Sequence, residues 1–353
     1  MRRFYLSVIS GQRRGPWAAF LRGFLACATA LYVVLHGARR LLYRIGLFRS
    51  HRFPCPVVSV GNVTAGGTGK TPLVEFIARW FARKNFRIAV LARGYGRVAD
   101  GADDEDLLSE MQLENAVRLA GRDRVANGRR ALADYHADLL LLDDGFQHYR
   151  VRRDLDIVAV DATNPFANER RLPRGLLREA PDALRRADLV VLTRTDQVTP
   201  AELEALRARI GPAVETVHKP VVVRNLSARK QVGLEWLRGR SVYAFCGVGN
   251  PEAFRRTLES LGAEVVMFRA FDDHHAYTAQ DIRRLGAEAQ EFMAEAVITT
   301  EKDATKVSPE GFDRPLAALR VEIEVTRNEE LLEERLLAVA RDIPRRAPAP
   351  IGR

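Results

Sequence analysis

The sequence predicts an α/β fold, in which a mostly parallel sheet carries helices on both faces and a second, smaller α/β domain follows. Three observations predict it. A glycine-rich loop joins a short apolar strand to a helical segment near residue 70. Short aliphatic runs then alternate with helical segments along the chain, as in βαβ units. With 353 residues, of which 47% are hydrophobic, the chain is long enough for two such domains.

The pattern divides the chain into four segments. They are a basic, membrane-associated N-terminal helix over 1–53, a core domain over 54–225, a second α/β domain over 226–342 and a disordered tail over 343–353. The boundary near 225 is placed where the alternating pattern pauses. Three widely spaced cysteines, Cys27, Cys55 and Cys246, predict a reducing compartment, with neither a disulfide framework nor a zinc site.

The first segment carries the excess positive charge. The net charge is +10, and residues 1–53 contain ten arginines and no Asp or Glu. The arginines flank an apolar run from Gly23 to Leu35 and form no patch on a folded domain, so we expect no nucleic acid as a partner. Because the run is shorter than the roughly 20 residues of a spanning helix, we predict a helix on the membrane surface, formed by residues 1–48.

The segment has three other possible interpretations. A signal peptide is disfavoured because no small-residue cleavage site follows the apolar run. An Arg-rich, acid-poor start also resembles a mitochondrial transit peptide, which the sequence leaves open. The third alternative is a helix packed on the protein's own core. Attachment to a membrane surface is the interpretation that we favour.

The glycine-rich loop predicts a phosphate-binding site of the P-loop NTPase type. Its glycines let backbone N–H groups converge, Lys70 reaches the β- and γ-phosphates, and Thr71 offers its hydroxyl to Mg²⁺. The usual pattern has glycine where Thr64 stands, and the Gly66-Gly67 pair supplies that flexibility instead. A strand before the loop and an amphipathic segment after it argue against a simple turn. The predicted nucleotide site comprises Thr64, Ala65, Gly66, Gly67, Thr68, Gly69, Lys70 and Thr71.

Charged residues follow the ends of the next predicted strands, where an open α/β sheet binds its ligand. Arg93 follows the first of them and either meets a phosphate or forms a solvated turn. An acidic run over 103–106 either caps a helix or supplies a carboxylate that accepts a proton from an attacking hydroxyl. The aliphatic run ending in Asp143 and Asp144 is typical of a Walker B strand, whose aspartate holds Mg²⁺ opposite Thr71. Gln147 and His148 follow directly.

Two later stretches bear on the substrate and on the base of the nucleotide. The arginine-rich loop over 170–179 either grips an anionic substrate or is solvated surface. Residues 193–196 read Thr-Arg-Thr-Asp, which differs from a guanine-reading motif by arginine in place of lysine. No Asp-x-x-Gly switch motif accompanies it, so ATP is preferred over GTP.

The second domain contains fewer informative motifs. The turn over 247–250 is better explained by packing than by a second nucleotide site. The stretch over 271–275, Phe-Asp-Asp-His-His, could ligate a metal, cap a helix or serve acid–base chemistry, and the metal alternative is the weakest. A further strand leads through Thr-Thr-Glu-Lys-Asp, at 299–303, into the same region.

Taken together, six motifs resemble the tetraacyldisaccharide 4′-kinase family, which phosphorylates the lipid A precursor. In the family's order they read GNVTAGGTGKTP, RGYGR, LLDDGFQH, LPRGLLRE, DHH and TTEKD, and the resemblance covers about residues 16–340. It implies ATP- and Mg²⁺-dependent phosphorylation of the 4′-hydroxyl of an acylated glucosamine disaccharide 1-phosphate. The enzyme would lie at the cytoplasmic face of a bacterial inner membrane, as a peripheral or monotopic protein. The alternative from another class is a membrane-anchored P-loop GTP-binding regulatory or assembly protein.

The resemblance also implies roles for individual residues. Asp104 is the expected catalytic base, coupled to His274, with Lys70 on the phosphates. This chain has Asp103-Asp104 where the family has Gly-Asp, so Asp103 is an alternative base, and His275 is an alternative to His274. The expected Mg²⁺ ligands are Thr71, Asp144 and Glu179. Other residues expected to line the site are Asp143, Gln147, His148, Arg93, Arg124 and Arg178.

Overall fold

Twelve strands form one sheet in the computed structural model of the protein, which describes residues 2–94, 115–273 and 275–344. The strands are β1 (Val57–Gly61), β2 (Ile88–Ala92), β3 (Ala116–Ala120), β4 (Leu139–Asp143), β5 (Leu155–Asp161), β6 (Leu189–Thr193), β7 (Val214–Asn225), β8 (Lys230–Val232), β9 (Ser241–Cys246), β10 (Glu264–Ala270), β11 (Ala296–Thr300) and β12 (Leu316–Arg327). The helices are α1 (Arg2–Ile9), α2 (Pro16–Arg44), α3 (Lys70–Ala82), α4 (Arg124–Ala133), α5 (Pro200–Ile210), α6 (Pro251–Ser260), α7 (Ala279–Glu291), α8 (Glu301–Ala304) and α9 (Glu329–Arg341).

The strand order is β10-β9-β11-β12-β7-β6-β5-β1-β4-β2-β3, with β8 paired to β7. All neighbours are parallel except the pairs β7–β12 and β7–β8. The predicted mostly parallel α/β architecture is therefore confirmed. The long antiparallel pair β7–β12 joins the two parallel parts into one sheet. Strand β7 ends at the predicted boundary near residue 225, and the division into domains there stays a prediction.

The core explains why helices form on both faces of the sheet. Strands β1 and β4 are short aliphatic runs, and alternate side chains of each strand point to opposite faces. On one face Val58 and Val60 pack with Leu73 and Ile77 of α3 and with α9. On the other face Val57 packs with the apolar side of α4. This packing places the start of α3 next to the carboxyl end of β1.

The N-terminal segment forms two helices, and α2 is longer than its apolar run indicates. It extends over 29 residues, starts with a proline in its first turn and continues past the arginines that follow the run. An 18-residue window of α2 has a mean hydropathy of 1.9, so by length and composition α2 could cross a membrane. The apolar run alone is shorter than a membrane-spanning helix, but the helix that contains it is long enough. The expectation that the segment is too short to span was therefore wrong for the helix. Helix α2 is nevertheless in contact with the core, through Thr29, Tyr32, His36 and Tyr43.

Candidate active site

The predicted P-loop connects β1 to α3 and takes its shape from two glycines. Gly66 has φ +143° and Gly69, the residue before α3, has φ +77°, a region that favours glycine. Thr64 pairs in extended conformation with Leu177, and the Ala65 N–H donates to Leu176 O at 2.6 Å. These backbone contacts explain how the chain tolerates threonine where the usual pattern has glycine.

Polar side chains support the loop from behind. Asn62 Nδ2 donates to Thr68 Oγ1 at 3.1 Å, and Thr193 Oγ1 donates to Thr68 O at 3.0 Å. The backbone of Gly249 lies so close that a Cβ atom there would approach Gly67 N to 1.9 Å. The packing explanation for the turn over 247–250 fits this contact.

A buried ion pair next to the loop was not predicted. Arg194 donates through Nη1 to Asp161 Oδ2 at 2.6 Å and to Gly67 O at 3.2 Å. Asn250 Nδ2 donates to the same Asp161 oxygen at 2.9 Å. Asp161 ends β5 as Asp143 ends β4, and this shared position at the carboxyl edge is the signal that could have found it. Because Arg194 is buried and committed to the loop, it does not take the place of a guanine-reading lysine.

Lys70 and Asp144 face each other at the mouth of the loop. Lys70 Nζ lies 3.6 Å from Asp144 Oδ1, and each side chain is 13% exposed. Arg178 Nη1 donates to both carboxylate oxygens of Asp144, at 2.7 and 2.8 Å. Burial opposes ionisation of Asp144, but Lys70 and Arg178 outweigh it and hold the pKa of this carboxyl below its ordinary value. Burial also lowers the pKa of Lys70, against the opposing effect of Asp144.

The turn after β4 is fixed by an arginine and a glycine. The Arg124 guanidinium donates to the backbone carbonyls of Asp143 and Asp144. Asp144 has φ +60°, and a Cβ at Gly145 would approach Ser59 Oγ to 2.4 Å, so only glycine fits there. These contacts direct the Asp144 carboxylate at Lys70.

Asp143 has its own partner. Arg118 on β3 donates through Nη2 to Asp143 Oδ2 at 3.3 Å. The sequence analysis did not identify Arg118. Strand β3 is too short for the alternation of polar and apolar residues to show which of its side chains face the site.

Glu179 is linked to Asp144 through Gln147 and Arg178. Gln147 Nε2 donates to Glu179 Oε1 at 3.0 Å and to Asn62 O at 2.9 Å, while its Oε1 accepts from Arg178 at 3.4 Å. Arg186, another residue missed from the sequence, donates to Glu179 Oε1 at 3.0 Å. Glu179 is 4% exposed and its carboxylate contacts these side chains, not Asp144.

The remaining predicted residues lie at the border of this cluster or beyond it. Burial, with Arg124 next in effect, lowers the pKa of His148 to about 4, so its imidazole is neutral at pH 7. Arg93 follows β2 and is exposed, and Thr71 lies in the first turn of α3. Asp104 and His274 lie outside the residues that the structure describes, as do Asp103, the alternative to Asp104, and the acidic run around it.

Comparison with known proteins decides the family. The family described as "Tetraacyldisaccharide-1-P 4′-kinase" (LpxK) matches residues 21–341. The chain belongs to the tetraacyldisaccharide 4′-kinase family. As a member, it is a kinase of lipid A biosynthesis, and the resemblance carried by the six motifs is confirmed.

Relatives in this kinase family match almost end to end. The chain is 42% identical over 342 residues to the tetraacyldisaccharide 4′-kinase of Syntrophus aciditrophicus, covering 88% of this chain and 90% of that one. It is 43% identical over 348 residues to that of Anaeromyxobacter sp. strain Fw109-5, with 92% and 94% covered. A crystal structure of Aquifex aeolicus LpxK in complex with ATP is similar, with a TM-score of 0.68, 30% identity, and coverage of 90% of this chain and 99% of that one. A GTP-binding regulatory protein is not favoured.

Proposed function

We propose that this kinase transfers the γ-phosphate of ATP to the 4′-hydroxyl of a tetraacyl glucosamine disaccharide 1-phosphate. The observation that carries the proposal is the Lys70–Asp144–Arg178 cluster at the mouth of a P-loop. Phosphoryl transfer requires in-line positioning and neutralisation of charge more than covalent help from the protein. The site brings a buried ammonium, a guanidinium and a carboxylate together beside the backbone N–H groups of the loop. This arrangement supplies both the positioning and the neutralisation of charge.

The loop residues bind the nucleotide in this proposal. Residues 64–71 wrap the β- and γ-phosphates, and Lys70 lies at the point where γ-phosphate charge develops. Arg178 donates to Asp144, and with Mg²⁺ held by that carboxylate it would be available to contact the transferred phosphate. Gln147 lies between Arg178 and Glu179 and fixes the orientation of both. Glu179 therefore acts through Gln147.

The donor set fits Mg²⁺. Magnesium in such sites takes one or two carboxylates, a hydroxyl and substrate phosphates, and keeps several waters. Within the described residues no three His, Cys, Asp or Glu side chains gather closely enough to hold a metal by themselves, so the phosphates would complete the shell. Asp144 and Thr71 would hold the ion, which would neutralise charge on the β- and γ-oxygens.

Family resemblance supplies the base. Asp104, coupled to His274, would accept the proton of the 4′-hydroxyl as the oxygen attacks phosphorus. Asp273 belongs to the same Asp-His-His motif, and the charge of Asp273 is among those that act on Lys70. This supports placing the motif near the P-loop. His148, neutral at pH 7, can accept a hydrogen bond but carries no positive charge to the phosphates.

We place the enzyme at the cytoplasmic face of the inner membrane, held by the exposed face of α2. Trp17, Phe20, Phe24, Leu31 and Leu35 are 60 to 80% exposed and share one side of the helix. The other side packs on the core near the predicted active site, since Tyr32 donates to Arg178 O at 3.0 Å. A helix that is apolar outward and bound to its own protein inward fits the membrane interface, where an acylated substrate resides.

The test is transfer of label from [γ-³²P]ATP to tetraacyldisaccharide 1-phosphate in mixed micelles, followed by phosphate analysis of the lipid product. We expect label at the 4′ position, dependence on Mg²⁺ and no loss with a tenfold excess of GTP. Label in free phosphate alone, or competition by GTP, would contradict the proposal.

A further inference from the structure

A basic cleft, separate from the predicted active site, lies at the end of the sheet opposite the P-loop. It has a volume of about 690 Å³ and runs between the last turn of α2 and the loop after β4. Its lining residues include Arg40, Tyr43, Arg44, Tyr149, Arg152 and Arg186. Asp156 and Asp188 also line it, and they stand at the amino-terminal ends of β5 and β6.

This position separates the cleft from the active site. Asp161, at the other end of β5, contacts Arg194 beside the P-loop. From Asp156 to Asp161 is five residue steps along the strand, which is about 17 Å. Between them Tyr149 and Arg186 contact Glu179 and close the active-site side of the cleft. A phosphate bound in this cleft would therefore contact its lining residues, which do not include Lys70, Asp144 or Arg178.

The cleft holds more positive charge than its acids balance. Arg153 pairs with Asp156 at 2.7 Å, and Arg186 pairs with Glu179 at 2.9 Å. In the part of the chain that the structure describes, Arg40, Arg44 and Arg152 make no ion pair within 4.0 Å. Three arginines around one concave surface attract a multivalent anion, and the guanidinium fork fits phosphate oxygens in particular.

Apolar residues beside the cleft indicate which anion it is. Directly after α2, Ile45 and Leu47 are 63 and 68% exposed, and Leu41 in its last turn is 53% exposed. Helix α2 runs from Tyr32 beside Arg178 to Tyr43 beside Tyr149, which is about 16 Å along its axis. A membrane that meets the exposed face of α2 would therefore also meet the mouth of the cleft.

We propose that the cleft binds the phosphate headgroup of an anionic glycerophospholipid, with its acyl chains beside Leu41, Ile45 and Leu47. Such a site fixes the enzyme's orientation on the membrane at a point remote from the reacting lipid. The inference rests on the proposed membrane-surface location and is independent of the roles assigned to Lys70 and Asp144.

The test compares two double variants of the full-length protein. R44Q/R152Q removes two charges from the cleft, and R49Q/R52Q removes two exposed charges that do not line it. All four arginines are exposed, so both proteins are expected to fold, and melting temperatures check this. Partition is measured into vesicles of 30% phosphatidylglycerol in phosphatidylcholine and into pure phosphatidylcholine vesicles.

For R44Q/R152Q we expect about tenfold weaker binding to phosphatidylglycerol vesicles. Binding to pure phosphatidylcholine should change less than twofold, and R49Q/R52Q should lose less than threefold on either vesicle. Equal losses in both variants would mean unspecific attraction and would overturn the proposal.

A kinetic measurement separates this site from the substrate site. In detergent micelles without phospholipid, R44Q/R152Q should keep the wild-type KM for the tetraacyl acceptor within twofold. A KM that rises there would mean that the cleft holds the substrate, and would overturn the phospholipid assignment. Wild-type protein that binds neither vesicle would instead refute the membrane location, while label transfer to the acceptor would still test the kinase activity.

Discussion

The carboxyl edge of the sheet and helix α2 both depend on apolar sequence, but they use it in opposite ways. Strand β1 buries every residue and so fixes the start of the P-loop. Helix α2 leaves most of its apolar side chains exposed and contacts the core through a few polar and aromatic groups. The comparison teaches that burial fixes the geometry at one region, whereas at the other exposed apolar surface is what we propose to hold the enzyme at the membrane. Substitutions at the two regions should therefore affect different measured quantities.

The largest effect is expected for the proposed catalytic base, Asp104. Asp104→Ala should lower kcat by about 10²–10⁴-fold, the range of general base catalysis, with the KM for ATP within a few-fold. Steady-state transfer to the micellar acceptor measures both constants. Asp103→Ala is the matched control and should stay near wild type, so the opposite ranking of the two variants would move the base to Asp103.

The next effect comes from the contact behind the P-loop. Gly249→Ala places a Cβ against the Gly67 backbone, where only 1.9 Å is available, so the loop must shift. The KM for ATP should rise about tenfold or more, while partition to vesicles stays unchanged. Gly23→Ala on α2 meets no atom within 4 Å and should leave the KM for ATP unaltered. An unaltered KM in Gly249→Ala would show that this contact does not shape the loop.

Changes in helix α2 should affect activity on a membrane-bound acceptor more than the handling of ATP. Removing the first 48 residues should weaken action on bilayer-bound acceptor more than ATP hydrolysis, but it also removes the contacts of Thr29 and Tyr32 with the core. Leu31→Gln/Leu35→Gln changes only exposed side chains, and we expect several-fold lower activity on vesicle-bound acceptor with near wild-type activity in micelles. A loss of equal size in both assays would contradict a membrane role for this face.

The smallest effect concerns stability. The pKa of His148 is lowered to about 4, chiefly by burial, against an ordinary value of 6.5. The folded state disfavours the protonated ring, so the stability from neutral His148 is present above pH 6.5 and is lost as the pH falls toward 4. The melting temperature of the wild type should fall more steeply over that window than that of His148→Gln. Parallel curves would show that the folded and unfolded states protonate His148 alike.

The sequence predicted those parts of the site that local pattern determines. The P-loop, the strand that ends at Asp143 and the mostly parallel α/β class follow from spacing and periodicity, whereas the long antiparallel pair β7–β12 was not predicted. The supports behind the loop could not be predicted this way, because Arg194, Asp161 and Gly249 come together only through the sheet. The length of α2 was underestimated, since Arg22 and the pair Arg39-Arg40 interrupt the apolar sequence and only the part between them is a continuous apolar run.

Transfer of label from ATP to the acceptor by Asp144→Asn is the most direct test of the central claim. That claim is that the carboxylate held between Lys70 and Arg178 would hold the Mg²⁺ that neutralises charge at the transferred phosphate. We predict a loss of at least about a hundredfold in kcat in protein that is still folded at the assay temperature, and unchanged partition to vesicles, with exposed Asp134→Asn as an active control. Asp144→Asn with activity within a few-fold of wild type would contradict the account.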